Sequence, residues 1–432
     1  MAPKIDNNMK FEDINLELLK NKNILLDIDG TLVCDKGTDL SLSVKNKIVE
    51  IKAHSDIYLC SNGEKDRNRQ MADTLGVSLI ESDYRKPDLK YINGVRFNHD
   101  KTIVVGDKYI TDGLFAVNVG AIYLDVEKKK NKTDSLFIKI TYLLDDIFGK
   151  LLFKAYPYVK LLRPYHWIKN ILILSPLFFA SSILSFVILP KLLITLLAFS
   201  LASSFVYILN DISDCQNDKN HHIKKFRPLS SGLIGFESAI YLALLVLVVL
   251  SVLIYFVPKL LLVISLYVVL NILYSLIFKK VAVLDIMMVS LFYILRVLVG
   301  GIVFDIYISP WIILCVFFGS LFLTSGKRYG EYHLENRRKV LDDYSKEAVS
   351  AVLLISSSLS VITYGIYSII GHHSYYLVYS SIFVTFSIFR VLNDIYKNPE
   401  QAEFPELLVF KDKWVFGSFV LWLIYVFFVF YF

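Results

Sequence analysis

Two sets of residues in this chain have types and spacings suited to chemistry on phosphates. The first comprises Asp27-Ile28-Asp29-Gly30-Thr31, Ser61-Asn62, Lys86-Pro87, and Gly106-Asp107 followed by Thr111-Asp112. A carboxylate such as Asp27 can attack phosphorus and form an aspartyl-phosphate. Asp29, two residues on in the same loop, can protonate the leaving oxygen. Asp107 adds negative charge for a Mg²⁺ ion, which prefers oxygen ligands. Ser61 can donate a hydrogen bond to phosphoryl oxygens, and Lys86 supplies positive charge where negative charge builds up. About thirty residues separate Asp29 from Ser61, and about twenty-five separate Ser61 from Lys86. Neither gap has room for a large cap, so the sequence predicts an open site suited to a bulky phosphate at a membrane surface.

The second set is the stretch Asn210-Asp211-Ile212-Ser213-Asp214-Cys215-Gln216-Asn217-Asp218, followed by Lys224-Lys225-Phe226-Arg227-Pro228 and ending at Gly232. On a helix, Asn210, Asp214 and Asp218 share a face at i, i+4 and i+8, with Asp211 flanking them. Carboxylates this dense repel one another unless a cation joins them, and Mg²⁺ bridging diphosphate oxygens is the natural one. Lys224, Lys225 and Arg227 can hold the phosphates, Arg227 in a bidentate manner.

Different elements must carry the two sets. ILLDIDG, IYLCSNG, TIVVGD and AIYL are apolar runs separated by helical patterns, which predicts a parallel α/β sheet of Rossmann-like type over residues 1–150. Chemistry in such sheets gathers at the carboxyl ends of the strands. From Ile171 onward, long apolar stretches approach the roughly 20 residues that a bilayer-spanning helix needs. Nine spans are expected in an all-α membrane domain over 171–432: 171–188, 190–209, 233–257, 259–278, 281–303, 310–326, 348–370, 373–393 and 413–431. The chain is 55% hydrophobic, beyond ordinary soluble composition.

The N-terminus has no apolar h-region or cleavage site, so the first domain is expected to stay in the cytoplasm. Lys219, Lys224, Lys225, Arg227, Lys279, Lys280, Lys327 and Arg328 then fall in loops on that same side, as the positive-inside rule requires. This predicts a multi-pass protein of the inner (cytoplasmic) membrane with its active sites on the cytoplasmic face. The net charge of +6 is modest, and no nucleic-acid partner is expected. Cys34, Cys60, Cys215 and Cys315 show no C-x-x-C pairing, so neither a disulfide framework nor a zinc site is expected. Residues 128–135, KKKNKTDS, mark the expected end of the soluble core. The amphipathic stretch after them, leading through a linker at 151–170, is read two ways: as an interfacial helix or as the last helix of the soluble domain.

The first set, in its order D-x-D-G-T, S-N, K-P, G-D-x-x-x-T-D, resembles the haloacid dehalogenase (HAD) superfamily of phosphatases over about residues 20–125. The resemblance implies Asp27 as nucleophile and Asp29 as acid/base. It places the metal on Asp27, the Asp29 carbonyl and Asp107, with Asp112 in support. The second set resembles the UbiA superfamily of membrane prenyltransferases. Members usually carry a second aspartate motif after helix six, but here Lys327-Arg328-Tyr329-Gly330-Glu331 puts a lysine and a glutamate at its ends.

Arg163-Pro164, Trp167-Ile168-Lys169-Asn170, Asp285, L-R-V-L-V-G-G through Gly301, and Gly326–Glu331 look like the phosphoribosyltransferases of that superfamily, over about 160–430. That resemblance implies 5-phosphoribosyl diphosphate (PRPP) as donor, a polyprenyl phosphate such as decaprenyl phosphate as acceptor, and Mg²⁺ in both domains. Lys327 and Arg328 then suit the extra 5-phosphate, as do Lys169, Lys279 and Lys280. Arg296 lies inside an apolar helix, where a charge is costly and implies a substrate or a structural acid as partner. Asp285 is a candidate for either role. The implied sequence is phosphoribosyl transfer, then removal of the 5-phosphate by the attached phosphatase. Two rivals stay open: transfer of an isoprenoid from its diphosphate to an aromatic or other acceptor, and a lipid-binding or transport protein with a regulatory domain. Self-association is allowed for but not required.

Overall fold

The computed structural model describes residues 4–92, 95, 101–131, 135–180, 186–219, 224–333, 339–370, 375–399 and 411–431. Residues 132–134 of the expected domain boundary lie outside these. Two compact units emerge: Met1–Arg163 with Asp211–Ala243, and Pro164–Asn210 with Leu244–Phe432. Asp211–Asp218 and the basic loop after it therefore group with the N-terminal part, although Asp211–Asp218 is the end of the first long membrane helix.

In the first unit, six strands form one sheet: β1 (Lys4–Met9), β2 (Asn23–Leu26), β3 (Asp56–Leu59), β4 (Ser78–Leu79), β5 (Thr102–Gly106) and β6 (Ile122–Val126). The order is β1-β6-β5-β2-β3-β4, and every pairing is parallel. The central strands are unbroken apolar runs because both faces are covered. Ile24, Leu26, Ile103, Val105 and Leu124 pack into one core, while Leu25, Val104 and Tyr123 pack into the other. That period-two alternation sets which side chains leave the strand ends toward the site. Covering helices include α1 (Leu42–Lys52), capped by Ser41, α2 (Lys65–Leu75), closed by the left-handed Gly76, and α3 (Leu114–Val119). The expected amphipathic stretch is helical from 136 to 162: α4 (Leu136–Leu144), a π-helical turn (Asp145–Gly149) and α5 (Lys150–Leu162).

Among the described residues, eight helices are long and apolar enough to cross a membrane. They are α6 (Leu189–Asp218, with the turn Phe186–Ile188 before it), α7 (Phe236–Phe256), α8 (Leu260–Leu276), α9 (Leu284–Phe304), α10 (Pro310–Tyr332), α11 (Lys346–Ile370), α12 (Ser381–Lys397) and α13 (Lys413–Tyr431). They match eight of the nine expected spans. The other, 171–188, instead contains the end of a 3₁₀ segment (Pro164–Leu174), a short helix (Ser175–Phe179) and the turn Phe186–Ile188, with 181–185 outside the described residues. Pro176 sits where a longer helix would need an N–H donor. The 3₁₀ segment runs against α9 so closely that a Cβ on Gly300 would overlap the carbonyl of Ile173.

Candidate active sites

The carboxyl ends of β2, β3 and β5 bring the first set of residues together. The Asp27 N–H donates to Val105 O (2.9 Å) and the Cys60 N–H to Leu26 O (2.8 Å), so the ladder itself sets the loop starts. Gly30 adopts φ +83°, and a Cβ there would overlap the Asp107 carboxylate. Only glycine lets the loop turn so close to that side chain. Lys86 is buried, and its ammonium donates to Asp27 Oδ1 and Asp112 Oδ1, each at 2.5 Å. Asn62 fixes it by accepting from the Lys86 N–H (2.7 Å) and donating to Lys86 O (3.0 Å). Ser61 Oγ donates to Asp29 Oδ2 (3.0 Å), so here it orients the Asp29 carboxylate, where a phosphoryl oxygen was the expected acceptor.

The charges in this site do not balance. Asp27, Asp107 and Asp112 present ligand atoms within 4.8 Å of one another, the one such group among the described residues. Both Asp107 oxygens are buried without a hydrogen-bond partner. Burial and the neighbouring Asp112 push the Asp27 carboxyl up to about 7 against the pull of Lys86. Burial also raises Asp107 well above its ordinary value. Three hard oxygen donors with an orphaned buried carboxylate fit a Mg²⁺ ion. Asp29 behaves differently. Burial pushes it up, but the Arg67 guanidinium (2.6 Å), the Lys36 N–H (2.9 Å) and Ser61 outweigh that and hold it below the usual range. Arg67 was not singled out in the sequence; it lies on α2, 38 residues from its partner. A cleft of about 570 Å³ opens onto Asp27 and Asp29, with Lys36, Arg67, Arg85 and Lys108 in its walls.

The acidic stretch 210–218 is helical throughout, as its spacing predicts, but a different face carries the contacts. Asp211 and Asp218 are buried, while Asp214 is half-buried. Seven residues return to within about 20° on an α-helix, closer than the eight between Asn210 and Asp218. Arg227 bridges the two aspartates, its Nη1 3.1 Å from Asp211 Oδ1 and 2.5 Å from Asp218 Oδ2. Arg163 makes a second ion pair to Asp211 Oδ1. Its backbone is left-handed, at φ +53°, a strained state for a non-glycine residue. Asp211 Oδ2 is buried with no partner, which leaves one oxygen suited to a cation. The loop that supplies Arg227 is tied by Ser231 N–H to Arg227 O (2.9 Å) and Ile234 N–H to Pro228 O (3.0 Å). Leu233 anchors it in the core beside Phe115 and Tyr91. In the same loop, Lys225 lies 5.2 Å from the Phe226 ring.

The second unit holds two buried charge centres. Arg328 Nε donates to Asp285 Oδ2 (2.7 Å) and its Nη1 to Glu331 Oε2 (2.8 Å). Tyr344 donates to Asp285 Oδ1 (2.8 Å) and accepts from the Val283 N–H. The guanidinium expected to meet a phosphate is thus engaged by two carboxylates. Arg296 Nε donates to Asn170 Oδ1 (2.9 Å) and its Nη1 to Phe292 O (2.6 Å). Its guanidinium stands 5.5 to 5.7 Å from the rings of Phe199, Tyr267 and Tyr293, and Lys169 Nζ is 5.7 Å from Tyr293. Asp285 pairs with Arg328 across 43 residues of sequence, and Arg296 is held by amide, carbonyl and ring groups. Tyr344 had no local signal that marked it, and Asn170, named only within the Trp167–Asn170 piece, had none that pointed to Arg296.

The model of the UbiA prenyltransferase family matches residues 171–420. The chain belongs to this family. Its UbiA part is similar to decaprenyl-phosphate phosphoribosyltransferase of Mycobacterium tuberculosis, 33% identical over 268 residues, which are 59% of this chain and 88% of that protein. The protein of the same name from Mycolicibacterium smegmatis is 34% identical over 220 residues, covering 49% of this chain and 69% of the relative. A solved structure of a UbiA homolog from Archaeoglobus fulgidus, bound to GPP and Mg²⁺, overlays with a TM-score of 0.49 at 19% identity, over 63% of this chain and 99% of that one. The acidic stretch, Asp285, Arg296 and Arg328 all lie within the UbiA match, whereas the Asp27 site lies wholly outside it.

Proposed function

We propose that this membrane protein transfers 5-phosphoribosyl from PRPP to a polyprenyl phosphate, releasing diphosphate, and then removes the 5-phosphate to leave polyprenyl-phosphoryl-ribose. The observation that carries the transfer is the 33% identity over 88% of a relative named decaprenyl-phosphate phosphoribosyltransferase. The Lys327–Glu331 sequence, which departs from a second aspartate motif, favours PRPP over an isoprenoid diphosphate.

In this reading Asp211, Asp214 and Asp218 would hold Mg²⁺, which when bound would draw charge from the diphosphate leaving group. Arg163 and Arg227 turn from the carboxylates toward phosphate oxygens. The bond from ribose C1 to the diphosphate oxygen breaks as a polyprenyl phosphate oxygen bonds to C1. Lys224, Lys225, Lys327 and Lys169 supply phosphate-binding charge. Arg328 and Arg296 order the helices that present the others.

The second step belongs to the α/β unit, read as a HAD-type phosphatase. Asp27 attacks the 5-phosphorus; Asp29, which takes up a proton once the phosphate draws Arg67 away, protonates the leaving ribose oxygen; and water then cleaves the aspartyl-phosphate. Lys86 and Ser61 position the reacting groups, and Mg²⁺ on Asp27, Asp107 and Asp112 would screen the phosphate charge. The reading also places the protein in the cytoplasmic membrane, with a ninth crossing through 171–188 and both sites on the cytoplasmic side.

Membranes supplied with labelled PRPP and polyprenyl phosphate test the scheme. Formation of polyprenyl-phosphoryl-ribose is expected, with the 5-phosphate form accumulating in Asp27→Asn. Absence of any ribosylated lipid would sink the first step. Equal accumulation of the 5-phosphate form in the unaltered protein would sink the second.

A further inference from the structure

The helix 136–162 carries two apolar stripes. One faces inward, with Ile138, Tyr142, Phe153 and Leu161 buried, and Phe153 packs in the core beside Tyr123 and Phe115. The other runs through Ile140, Leu143, Leu144, Ile147, Phe148 and Leu151, at i, i+3, i+4, i+7, i+8 and i+11, each 44% to 66% exposed. Leu136 and Phe137 begin it and are 75% and 76% exposed. An inward stripe alone would serve the last helix of a soluble domain. A second, contiguous apolar stripe left in water would be an interaction surface.

Three observations name its occupant as a lipid surface. The residues are large and aliphatic or aromatic, the type that enters the acyl boundary. Exposed Lys139, Lys150 and Lys154 follow one margin of the stripe, where anionic head groups would meet them. The helix ends at Leu162, and the chain then continues at Pro164 into the membrane-spanning unit. The same helix also touches chemistry: Ser135, Phe137 and Ile138 at its start line the cleft onto which Asp27, Asp29 and Lys86 open.

We propose that the outer stripe of helix 136–162 lies in the membrane interface and that the cleft at its start accepts a phosphate ester carried on a membrane-anchored lipid. The second half rests on the phosphatase reading; the first does not. Docking would put the cleft mouth, with apolar Phe137 beside basic Lys36, Arg85 and Lys108, at the depth of the lipid head groups.

The full chain in phospholipid nanodiscs tests both halves. With the four native cysteines replaced by alanine, a fluorophore on Phe148→Cys should be quenched by nitroxide lipids and shielded from aqueous iodide. The same label on Val49→Cys, exposed on α1, should show the reverse. Iodide quenching equal at both positions overturns docking. Shielding of position 148 from both quenchers means a second copy covers the stripe, and likewise overturns it.

For the second half, Leu144→Glu with Phe148→Glu should lower hydrolysis of polyprenyl-phosphoryl-5-phosphoribose in nanodiscs at least tenfold. Hydrolysis of soluble p-nitrophenyl phosphate should be unchanged. Equal loss on both substrates overturns the lipid-substrate half. If the unaltered chain hydrolyses neither, the phosphatase reading fails and the labels alone decide docking.

Discussion

The two acidic centres solve the same electrostatic problem in opposite ways. At the end of β2, Asp27 and Asp112 share one ammonium, that of Lys86, and the third carboxylate, Asp107, has no hydrogen-bond partner. At the end of α6, the carboxylates Asp211 and Asp218 are met by two guanidiniums, Arg163 and Arg227. The first centre is incomplete without a cation, because buried like charges raise one another's energy. The second is close to balance, so on the proposed reading a metal–diphosphate ligand would displace arginines that it could then use. On the same reading, the surplus of carboxylates at the first centre would be a pre-formed metal seat. The balanced cluster would be a site that exchanges partners.

The largest expected effect separates the two chemically. Asp27→Asn should lower dephosphorylation roughly 10³-fold or more while leaving phosphoribosyl transfer intact, since a nucleophile cannot be replaced by its neighbours. Mass spectrometry of the lipid products reads both steps at once. Loss of both steps together would mean that the centres are not independent.

Stability should separate them next. Arg163→Ala breaks a buried pair and should cost about 3 kcal/mol, the low end for such pairs because Arg227 remains on Asp211. Asp107→Asn should cost nothing, or stabilise, when EDTA removes divalent ions, because it deletes a buried carboxylate without a partner. Chemical denaturation in detergent checks the pair. Equal destabilisation by both would erase the contrast.

Magnesium should then act unequally. At 100 times its dissociation constant, an ion that binds only the folded state stabilises by about 2.7 kcal/mol. That increment, read as a rise in melting temperature, should vanish in Asp107→Asn and persist in Arg163→Ala.

The smallest effect is a pH slope near the balanced centre. Burial lowers the Lys160 ammonium to about 8, and its Nζ donates to Phe226 O (3.3 Å). A lysine depressed by folding binds its proton more weakly when folded. Its penalty is therefore complete below about 8, and stability returns as pH rises from there to the ordinary lysine value. Lys160→Met should flatten denaturation midpoints measured across that window.

Much of this was legible in the sequence, and the misses have a common cause. The D-x-D, S-N and G-D pieces each follow an apolar run, and parallel strands bring their carboxyl ends to one edge whatever else the chain does. Span lengths follow from bilayer thickness, which is why eight expected spans reappear as helices. The stretch 171–188 is apolar enough to span, yet Pro176 and its contact with α9 shape it otherwise.

Partner choice was not legible. Spacing placed Asn210, Asp214 and Asp218 on a face, but only the fold brought Arg163 to Asp211 from 48 residues away. It likewise brought Arg328 to Asp285, and it packed the loop through Leu233 with the α/β unit. Residue type and local period determined which atoms could carry charge and where each element begins. Which charges meet was decided by tertiary structure, because burial removes water as a competing partner and leaves each ion only the neighbours that packing supplies.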